Sequence, residues 1–353
     1  MAYTDIDNPE LYFQCKIYIG NGEDDRTITL DGDENMQPDM VWLKQRSEVR
    51  NHTITDSVRG GSKQVFPNLT SAEATDSGTV KSFTSDGFVI GTDNQANKDT
   101  ETFVAWNWKA GTSFTNDASS TGIGTIDSTG SVNTDAGFSI GTYNGSGSDN
   151  IVGHGLGVAP DMIIVKCKST AHDWVVYHSA LGNAKILTLN ATTVAQSATG
   201  WQSTSPTSTV FSIDNAANSL NQSGQSFVFY AMASKKGYSK FGSYTGNGNA
   251  DGTFVYTGFS PSFVLLKETS NANNWMIFDN KRSPFNLMDD FISSDIADAE
   301  STGNGNNRMD MLSNGFKIRG SGTATNRSGS NFIYMAFAEN PFTTSTGVPA
   351  TAR

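Results

Sequence analysis

Four short sequence blocks recur three times along this chain in the same order, and this recurrence constrains the fold more than any other feature. The first block is Tyr-x-Gly-x-Gly, which begins at Tyr18, Tyr143 and Tyr244. The second opens with proline and reaches a lysine six residues later, and the third follows eighteen residues after that proline. Phe-rich segments close each copy. Ordered recurrence at nearly matched spacing predicts three copies of one structural module.

The copies cover residues 12–112, 113–236 and 237–343, and junctions rich in Ser, Thr, Asn and Gly separate them. We therefore predict a first domain at 1–112, made of an N-terminal extension and copy 1. Copies 2 and 3 form the domains 113–236 and 237–343. Residues 344–353 are expected to form a tail that frays or acts as a contact arm.

Within each copy, short apolar runs rich in Val, Ile, Phe, Tyr and Trp alternate with clusters of Gly, Asn, Asp and Ser, which is typical of strands and turns. Hydrophobic residues make up only 36% of the chain, which favours several small cores over one thick core. The predicted fold class is all-β, with three tandem β-sandwich or jelly-roll-like repeats of roughly 100 to 120 residues.

The recurring blocks also predict local structure. Alternate glycines in Tyr-x-Gly-x-Gly enter positive φ cheaply, which predicts a hairpin turn, and no helix follows to complete a phosphate-binding loop. Each proline block is expected to be a central strand that ends at a solvated lysine. Residues 69–74 and 292–300 are expected to form short helical connectors with Ser or Thr as N-cap.

Charge and cysteine content exclude several classes of partner and site. A formal net charge of −11 argues against binding to nucleic-acid phosphates, which needs clustered Lys and Arg. Cys15 and Cys167 lie far apart without metal-ligand or CxxC spacing, so both are expected to be free thiols. The acidic loops 23–25 and 31–34 offer calcium ligands but match no EF-hand pattern, so solvated turns are preferred and no metal site is predicted. The chain shows no signal-peptide pattern at its start and no apolar run of membrane-spanning length, so neither export by such a signal nor membrane insertion is expected.

Asp56, His178 and Asp279 occupy the same position in the three copies, and hydroxyl residues at Tyr177 and Ser179 flank the histidine. A catalytic histidine needs a matched nucleophile and a third group that orients it. No such set recurs around one copy, so we expect structural polar contacts here. The chain is predicted not to be an enzyme, and no cofactor is predicted.

Four residues are candidate surface or glycan contacts. Trp174 and Trp275 lie fourteen residues after their prolines and could stack on sugar rings if exposed, although repeating tryptophans more often anchor cores. His154 lies in a glycine-flanked loop where a ligand could approach the backbone, with an ordinary turn histidine as the alternative. The polar-flanked His178 completes the set.

The segments most specific in combination are 56–60, 105–111, 152–157, 244–248, 257–264 and 335–342. They resemble an uncharacterised repeat family found in virion proteins of marine tailed bacteriophages. The resemblance covers about residues 12–343 and brings no catalytic residues with it. It implies a virion component, assembled in the host cytoplasm, without implying its place in the particle.

What the resemblance implies first is a structural virion protein, a tail fibre or tail-associated appendage that contacts the host surface. The alternatives are a capsid decoration or head-fibre protein, and a lectin-like module that binds glycans through exposed aromatic residues and polar loops. A polysaccharide depolymerase is disfavoured, because neither a paired carboxylate motif nor a short solenoid repeat occurs. Expected partners are other virion proteins, further copies of the chain and a host-surface glycan or receptor. The copies are expected to superimpose, arranged in a row or around a pseudo-threefold axis.

Overall fold

Antiparallel β-sheet makes up almost all of the regular structure. The computed structural model describes residues 4–215 and 217–349. Within them, the helical segments are one 3-10 turn at Pro9–Leu11 and a few α-helices of four residues each. The predicted all-β, sandwich-like fold class is confirmed. The ends of the predicted extension and tail, residues 1–3 and 350–353, lie outside the described residues.

The elements are grouped here by the residue ranges 12–112, 113–236 and 237–343, called units 1, 2 and 3. Unit 1 contains β1 (Phe13–Ile19), β2 (Arg26–Thr29), β3 (Met40–Gln45), β4 (Thr53–Asp56), β5 (Lys63–Gln64), β6 (Ala74–Thr75), β7 (Val80–Thr84), β8 (Gly87–Ile90), α1 (Asn94–Asn97) and β9 (Thr102–Trp108). Unit 2 contains β10 (Thr112–Asn116), α2 (Ala118–Thr121), β11 (Ser128–Asn133), β12 (Phe138–Asn144), β13 (Asn150–Gly153), β14 (Met162–Cys167), β15 (Val175–His178), β16 (Lys185–Thr188), β17 (Gln196–Ser197), β18 (Val210–Ile213), α3 (Asn218–Asn221) and β19 (Ser226–Met232). Unit 3 contains β20 (Ser239–Thr245), β21 (Phe254–Tyr256), β22 (Phe259–Glu268), β23 (Met276–Asp279), β24 (Ile292–Ser293), β25 (Met309–Leu312), β26 (Gly315–Ile318), α4 (Thr323–Asn326) and β27 (Asn331–Pro341).

Each unit has a large sheet with the same strand order. That order is β1-β9-β3-β4 in unit 1, β12-β19-β14-β15 in unit 2 and β20-β27-β22-β23 in unit 3. Unit 2 extends its sheet with β10 and β11 on one edge and β16 and β17 on the other. Smaller sheets, β2-β8-β7, β13-β18 and β21-β26-β25, form the second layer of each unit. The register agrees as well, since the tyrosine of each Tyr-x-Gly-x-Gly block pairs with a phenylalanine on the last strand.

The central strands are buried on both faces, and successive residues enter different cores. On β3, Met40 and Trp42 face a central core, whereas Val41 and Leu43 face a core within unit 1. The same alternation holds on β14 and β22. The central core collects residues from all three units, and each outer core lies between the large and small sheets of one unit. Period-two alternation therefore places each large sheet between two hydrophobic layers.

The Tyr-x-Gly-x-Gly segment connects the two sheets of a unit, so the hairpin prediction is wrong. β1 lies in the large sheet and β2 in the small sheet, and the other units repeat this arrangement. In unit 1 the Tyr18 hydroxyl donates to Ala96 O at 2.7 Å, and Gly22 adopts φ +69°. A Cβ on Gly20 would lie 2.0 Å from Lys98 O. Both glycines are therefore required, one by its positive φ and one by its close approach to the helix end.

The predicted helical connectors are extended segments instead. Residues 69–74 lead into β6, and residues 292–300 begin with β24. Their backbone N–H groups bond to neighbouring units, for example Glu73 N to Lys168 O at 2.8 Å and Glu300 N to Arg46 O at 2.8 Å. The helix prediction is wrong because these bonds between units replace the hydrogen bonds of a local helix.

Candidate functional site

Three sets of backbone hydrogen bonds join the units into a closed ring, and we call these contacts joints 1–2, 2–3 and 3–1. At each joint, a loop of one unit and the segment after the central strand of the next exchange two hydrogen bonds. The pairs are Glu73 N to Lys168 O and His172 N to Thr70 O, Ala195 N to Thr269 O and Asn273 N to Thr192 O, and Glu300 N to Arg46 O and Arg50 N to Ala297 O. The third joint returns to unit 1, so the ring closes within one chain.

The tryptophans singled out as glycan contacts belong to these joints. Trp174 and Trp275 are 0% and 1% exposed, so the surface prediction is wrong for both. Trp174 Nε1 donates to Phe66 O at 2.8 Å across joint 1–2, and Trp275 Nε1 donates to Thr188 O at 3.0 Å across joint 2–3. An indole supplies apolar area for the central core and one N–H for a carbonyl of the neighbouring unit.

His52 takes the place of these tryptophans at joint 3–1, fourteen residues after Pro38. Trp42 Nε1 donates to His52 Nδ1 at 3.0 Å, so the proton of the neutral ring sits on Nε2, which lies 3.0 Å from Ser293 O. Burial lowers the pKa of His52 well below its usual value, which keeps the ring neutral. Each joint thus has one buried ring N–H that bonds to a backbone carbonyl.

The lysines that end the central strands are buried, so the prediction of solvated lysines is wrong. Lys166 Nζ bonds to Thr70 O at 2.8 Å across joint 1–2, and Lys267 Nζ bonds to Thr192 O at 3.1 Å across joint 2–3. Lys44 Nζ instead bonds to Gln45 O at 2.6 Å within unit 1. Desolvation lowers the pKa of all three lysines to about 8. Their ammonium groups compensate for burial by bonding to loop carbonyls.

Asp56 and Asp279 form buried ion clusters that reach into the next unit of the ring. Asp56 Oδ2 accepts from Arg59 Nε at 2.6 Å and from the Tyr230 hydroxyl at 2.7 Å. Asp279 Oδ2 accepts from Arg282 Nε at 2.5 Å and from Trp106 Nε1 at 3.0 Å. Each arginine also pairs with a glutamate of its own unit, Glu73 at 3.1 Å and Glu300 at 2.7 Å. The prediction of structural polar contacts therefore holds for both aspartates.

His178 makes the corresponding contact without charge. It is 1% exposed, so its assignment as a surface contact is wrong. Its Nδ1 accepts from Ala180 N at 3.2 Å, which leaves Nε2 to donate to Tyr334 O of unit 3 at 3.2 Å. Met335 stands where units 1 and 2 have the donors Trp106 and Tyr230, each three residues after the phenylalanine paired with the block tyrosine. An aspartate there would have no side-chain donor, and a histidine that donates to a carbonyl fits the site instead.

His154 is also buried, at 0% exposure, so its assignment as a surface contact is wrong. Its Nδ1 accepts from Leu156 N at 3.2 Å, and Nε2 therefore donates to Thr207 O at 3.1 Å. Its backbone N–H bonds to Thr209 O at 3.1 Å. Desolvation lowers the pKa of His154 to about 4. The residue ties the glycine-rich loop 153–157 to residues 207–209.

Beside His154, unit 2 carries a surface cleft of about 280 Å³. One wall is β10 with residues 121–123, and the others are the loop 153–157 and residues 208–209. Phe114 and Ile123 supply the apolar surface, and the remaining lining is hydroxyl, amide and glycine. Among the described residues that line it, none is ionisable. This cleft offers a small, uncharged and partly aromatic binding surface.

A second exposed aromatic surface lies on the outer face of unit 3. Phe254 and Tyr256 of β21 are 44% and 54% exposed. Lys240 Nζ lies 5.3 Å from the centre of the Tyr256 ring and donates to Tyr256 O at 2.9 Å. In unit 1, Thr27 and Thr29 occupy the matching register positions. The aromatic pair is therefore not repeated in unit 1.

No metal site is assembled in the part of the chain that the structure describes. Across residues 4–215 and 217–349, no group of three His, Cys, Asp or Glu side chains is placed to hold a metal ion. The acidic loop 23–25 pairs instead with Lys81, whose Nζ lies 3.0 Å from Asp24 and 2.5 Å from Asp25. Both cysteines are buried free thiols. Among the described helices, none has the length and apolar character that crossing a membrane requires.

Two signals in the sequence could have located the features that sequence reasoning missed. Arginine follows the third-block aspartate by three residues in copies 1 and 3, as Arg59 and Arg282, and this recurrence marks the ion clusters. Copy 2 is longer than the others, and the extra length is the β10–β11 segment that forms one wall of the cleft. A repeated charge pair and a length mismatch are both readable without a structure.

Strand order, joints and shared core define an all-β, sandwich-like protein whose three units close into a ring. The chain belongs to the family described as domain of unknown function (DUF7483), whose model matches residues 8–341. No curated protein and no solved structure matches the chain.

Proposed function

We propose that this chain is a non-enzymatic structural protein of a tailed-bacteriophage particle, a tail fibre or tail-associated appendage that contacts the host surface. It assembles in the host cytoplasm with other virion proteins and with further copies of itself. The alternative position is the capsid, as a decoration or head-fibre protein.

The observation that carries this proposal is the use of the buried polar side chains in the joints. The polar residues that open the third block, Asp56, Asp279 and His178, are buried and bond to neighbouring units. Buried polar groups with complete hydrogen bonding rigidify a fold and specify one arrangement of its parts. This use of polar residues suits a load-carrying architectural part better than an enzyme.

The resemblance of the recurring blocks to marine-phage virion proteins supports the same proposal, and so does composition. Turn-forming residues are abundant and only 17% of residues are charged, so most of the chain serves strands and tight connections. A net charge of −11 keeps such a β-rich surface soluble at high local concentration.

Cryo-electron microscopy of the particle that carries this chain tests the proposal. We expect density that fits the three-unit ring at the tail. Density repeated over the capsid lattice would replace the tail assignment with capsid decoration. Absence of the chain from purified particles, measured by mass spectrometry, would refute a virion role altogether.

A glycan-binding module is the second candidate, and the cleft of unit 2 favours it. Sugar-binding surfaces combine an aromatic ring with hydrogen-bonding groups that fix orientation, and the cleft contains both around Phe114. This function is compatible with a virion protein that contacts a host surface. The tryptophans proposed from sequence do not take part, because they are buried in the joints.

A further inference from the structure

We infer that the cleft of unit 2 is a binding site for an uncharged saccharide, one sugar ring of which contacts the exposed part of Phe114. The inference rests on the glycan-binding candidate above and assigns it a location, a ligand class and a set of residues. The tryptophans and histidines considered first are excluded by their burial.

The cleft is built by a segment found in unit 2. Strands β10 and β11 precede the large sheet and pair with it through β12, and among the described residues units 1 and 3 have no counterpart. The connection between them bonds to β13 through Thr125 N to Ile151 O at 2.8 Å, and the first residue of β11 does so through Ser128 Oγ to Gly153 O at 2.7 Å. The cleft therefore lies between an added hairpin and the small sheet of the unit, and both of its sides are anchored.

Phe114 is held in place and still borders the cleft. It pairs with Gly130 across β10 and β11, and its ring packs against the outer core of unit 2. A Cβ on Gly130 would lie 2.7 Å from Phe114 Cε1, so the ring occupies the space that a side chain would fill. The side chain is half-buried, so part of a fixed aromatic ring remains available to a ligand and little side-chain entropy is lost on contact.

Two glycines keep the neighbouring wall free of side chains. Gly155 has φ +76° and lies against the Phe114 ring, since a Cβ there would be 3.2 to 3.4 Å from Cδ1, Cε1 and Cγ of that ring. Gly157 has φ +73° and nothing within 4 Å of a Cβ position. Backbone without side chains allows close approach of a ligand. Behind this wall, the bonds from His154 to Leu156 and Thr207 fix the loop, so His154 acts as a positioning residue.

The lining decides the class of ligand. Charged ligands are disfavoured, because none of the described lining residues offers a counter-charge. A purely apolar ligand would bury the hydroxyl groups of Thr115 and Ser208 without giving them hydrogen-bond partners. A neutral sugar satisfies both conditions, since its C–H face packs on an aromatic ring while its hydroxyls exchange hydrogen bonds. A volume of about 280 Å³ lies near the lower end for ligand pockets, which suits one or two sugar rings.

Saturation-transfer NMR on the full chain tests this inference. The probes are the methyl pyranosides of glucose, galactose, mannose, rhamnose and N-acetylglucosamine, with glucuronic acid as the charged comparison, each at about 10 mM so that millimolar affinities are detected. We expect at least one neutral pyranoside to bind, and we expect glucuronic acid to bind more weakly than that sugar.

Two variants and one control locate the site. Phe114→Ala removes the aromatic contact, and Ser208→Trp fills the cleft from an exposed position; each is expected to weaken binding about tenfold or more. Phe254→Ala removes an exposed aromatic from the open face of unit 3 and is expected to leave binding unchanged. Thermal unfolding of each variant shows whether the substitution has disturbed the fold. If Phe114→Ala has done so, the effect of Ser208→Trp on binding decides whether the probe binds in the cleft.

The outcomes separate this inference from the proposed function. If no neutral probe binds, the assignment of the cleft as a saccharide site is wrong. The same holds if a probe binds and Ser208→Trp leaves that binding unchanged. Loss of binding in Phe254→Ala alone moves the glycan site to unit 3. None of these results changes the position of the chain in the particle, which microscopy measures separately.

Discussion

Replacing Arg282 with leucine should destabilise the protein strongly, because its guanidinium is the cation of a fully buried cluster. The side chain is 0% exposed and bonds to Asp279 Oδ2, to Glu300 Oε1 at 2.7 Å and to Ile277 O at 2.9 Å. Asp279 is itself 0% exposed, so removal of the arginine leaves a buried carboxylate without its cation. Breaking a buried pair from one side costs about 3 to 5 kcal/mol, and we expect a loss of that size in the free energy of unfolding.

The triple variant Asp279→Asn, Arg282→Leu, Glu300→Ala provides the matched control. It removes the three charges that Arg282 joins, and the asparagine introduced at position 279 retains an acceptor for Trp106 Nε1. Arg46, the other partner of Glu300 at 2.7 Å, keeps its charge but is partly exposed to solvent. Unit 2 already contains an uncharged version, with His178 and Leu181 at the positions of the aspartate and arginine. We therefore expect the triple variant to be more stable than Arg282→Leu alone, since uncharged replacements of buried ion pairs are often tolerated.

Urea unfolding followed by tryptophan fluorescence measures both variants, since all six tryptophans are buried. A decrease of less than about 1 kcal/mol in the free energy of unfolding of Arg282→Leu would refute this prediction, because a buried carboxylate without its cation costs more than that. A triple variant that is no more stable than Arg282→Leu would also refute it, because the unpaired carboxylates would then not be the cause of the lost stability.

Three further perturbations test other parts of the ring. Trp275→Phe keeps most of the ring volume but leaves Thr188 O of unit 2 without its donor, so we expect a loss of about 1 to 3 kcal/mol in the free energy of unfolding measured in urea. An unchanged unfolding midpoint would contradict a stabilising role for this hydrogen bond across joint 2–3. Gly246→Ala places a Cβ 2.4 Å from a backbone oxygen and should lower the melting temperature by several degrees, whereas Gly305→Ala, with nothing within 4 Å, should leave it nearly unchanged. Acidification should weaken the fold through His154 and His178, whose pKa values burial lowers from 6.5 to about 4. Because the folded state disfavours protonation of both rings, their contribution to stability is complete above about pH 6.5 and falls by about 3 kcal/mol per histidine as the pH drops towards 4. His178→Gln should make this decline shallower. An unaltered pH profile would contradict the assignment of His178 as a buried neutral ring.

Sequence periodicity predicted the central strands well, because their pattern is local. The proline blocks form β3, β14 and β22, and their continuous apolar runs indicated strands that are buried on both faces. The helix predictions at 69–74 and 292–300 failed for a different reason. Their composition suits a helical turn, but their backbone groups bond to another unit, and tertiary hydrogen bonds outweigh weak helix propensity.

The candidate site was located poorly from sequence, because burial of polar and amphipathic side chains depends on distant partners. Trp174 donates to Phe66 O, 108 residues away in the chain, and nothing near either residue indicates that contact. The lysines that end the central strands likewise receive loop carbonyls, in two cases from another unit. A tryptophan or lysine at a strand end looks exposed until the element that covers it is known.

The sequence by itself determined the all-β class, the recurring blocks and the burial of the central strands on both faces. These follow from spacing and from the period of a strand, which act over a few residues. Only the tertiary structure decided that the third unit returns to the first, that the polar side chains of the blocks lie in the joints, and that the added hairpin of unit 2 opens a cleft. Such features depend on which surfaces meet across a hundred residues or more, and a local pattern carries no information about that choice.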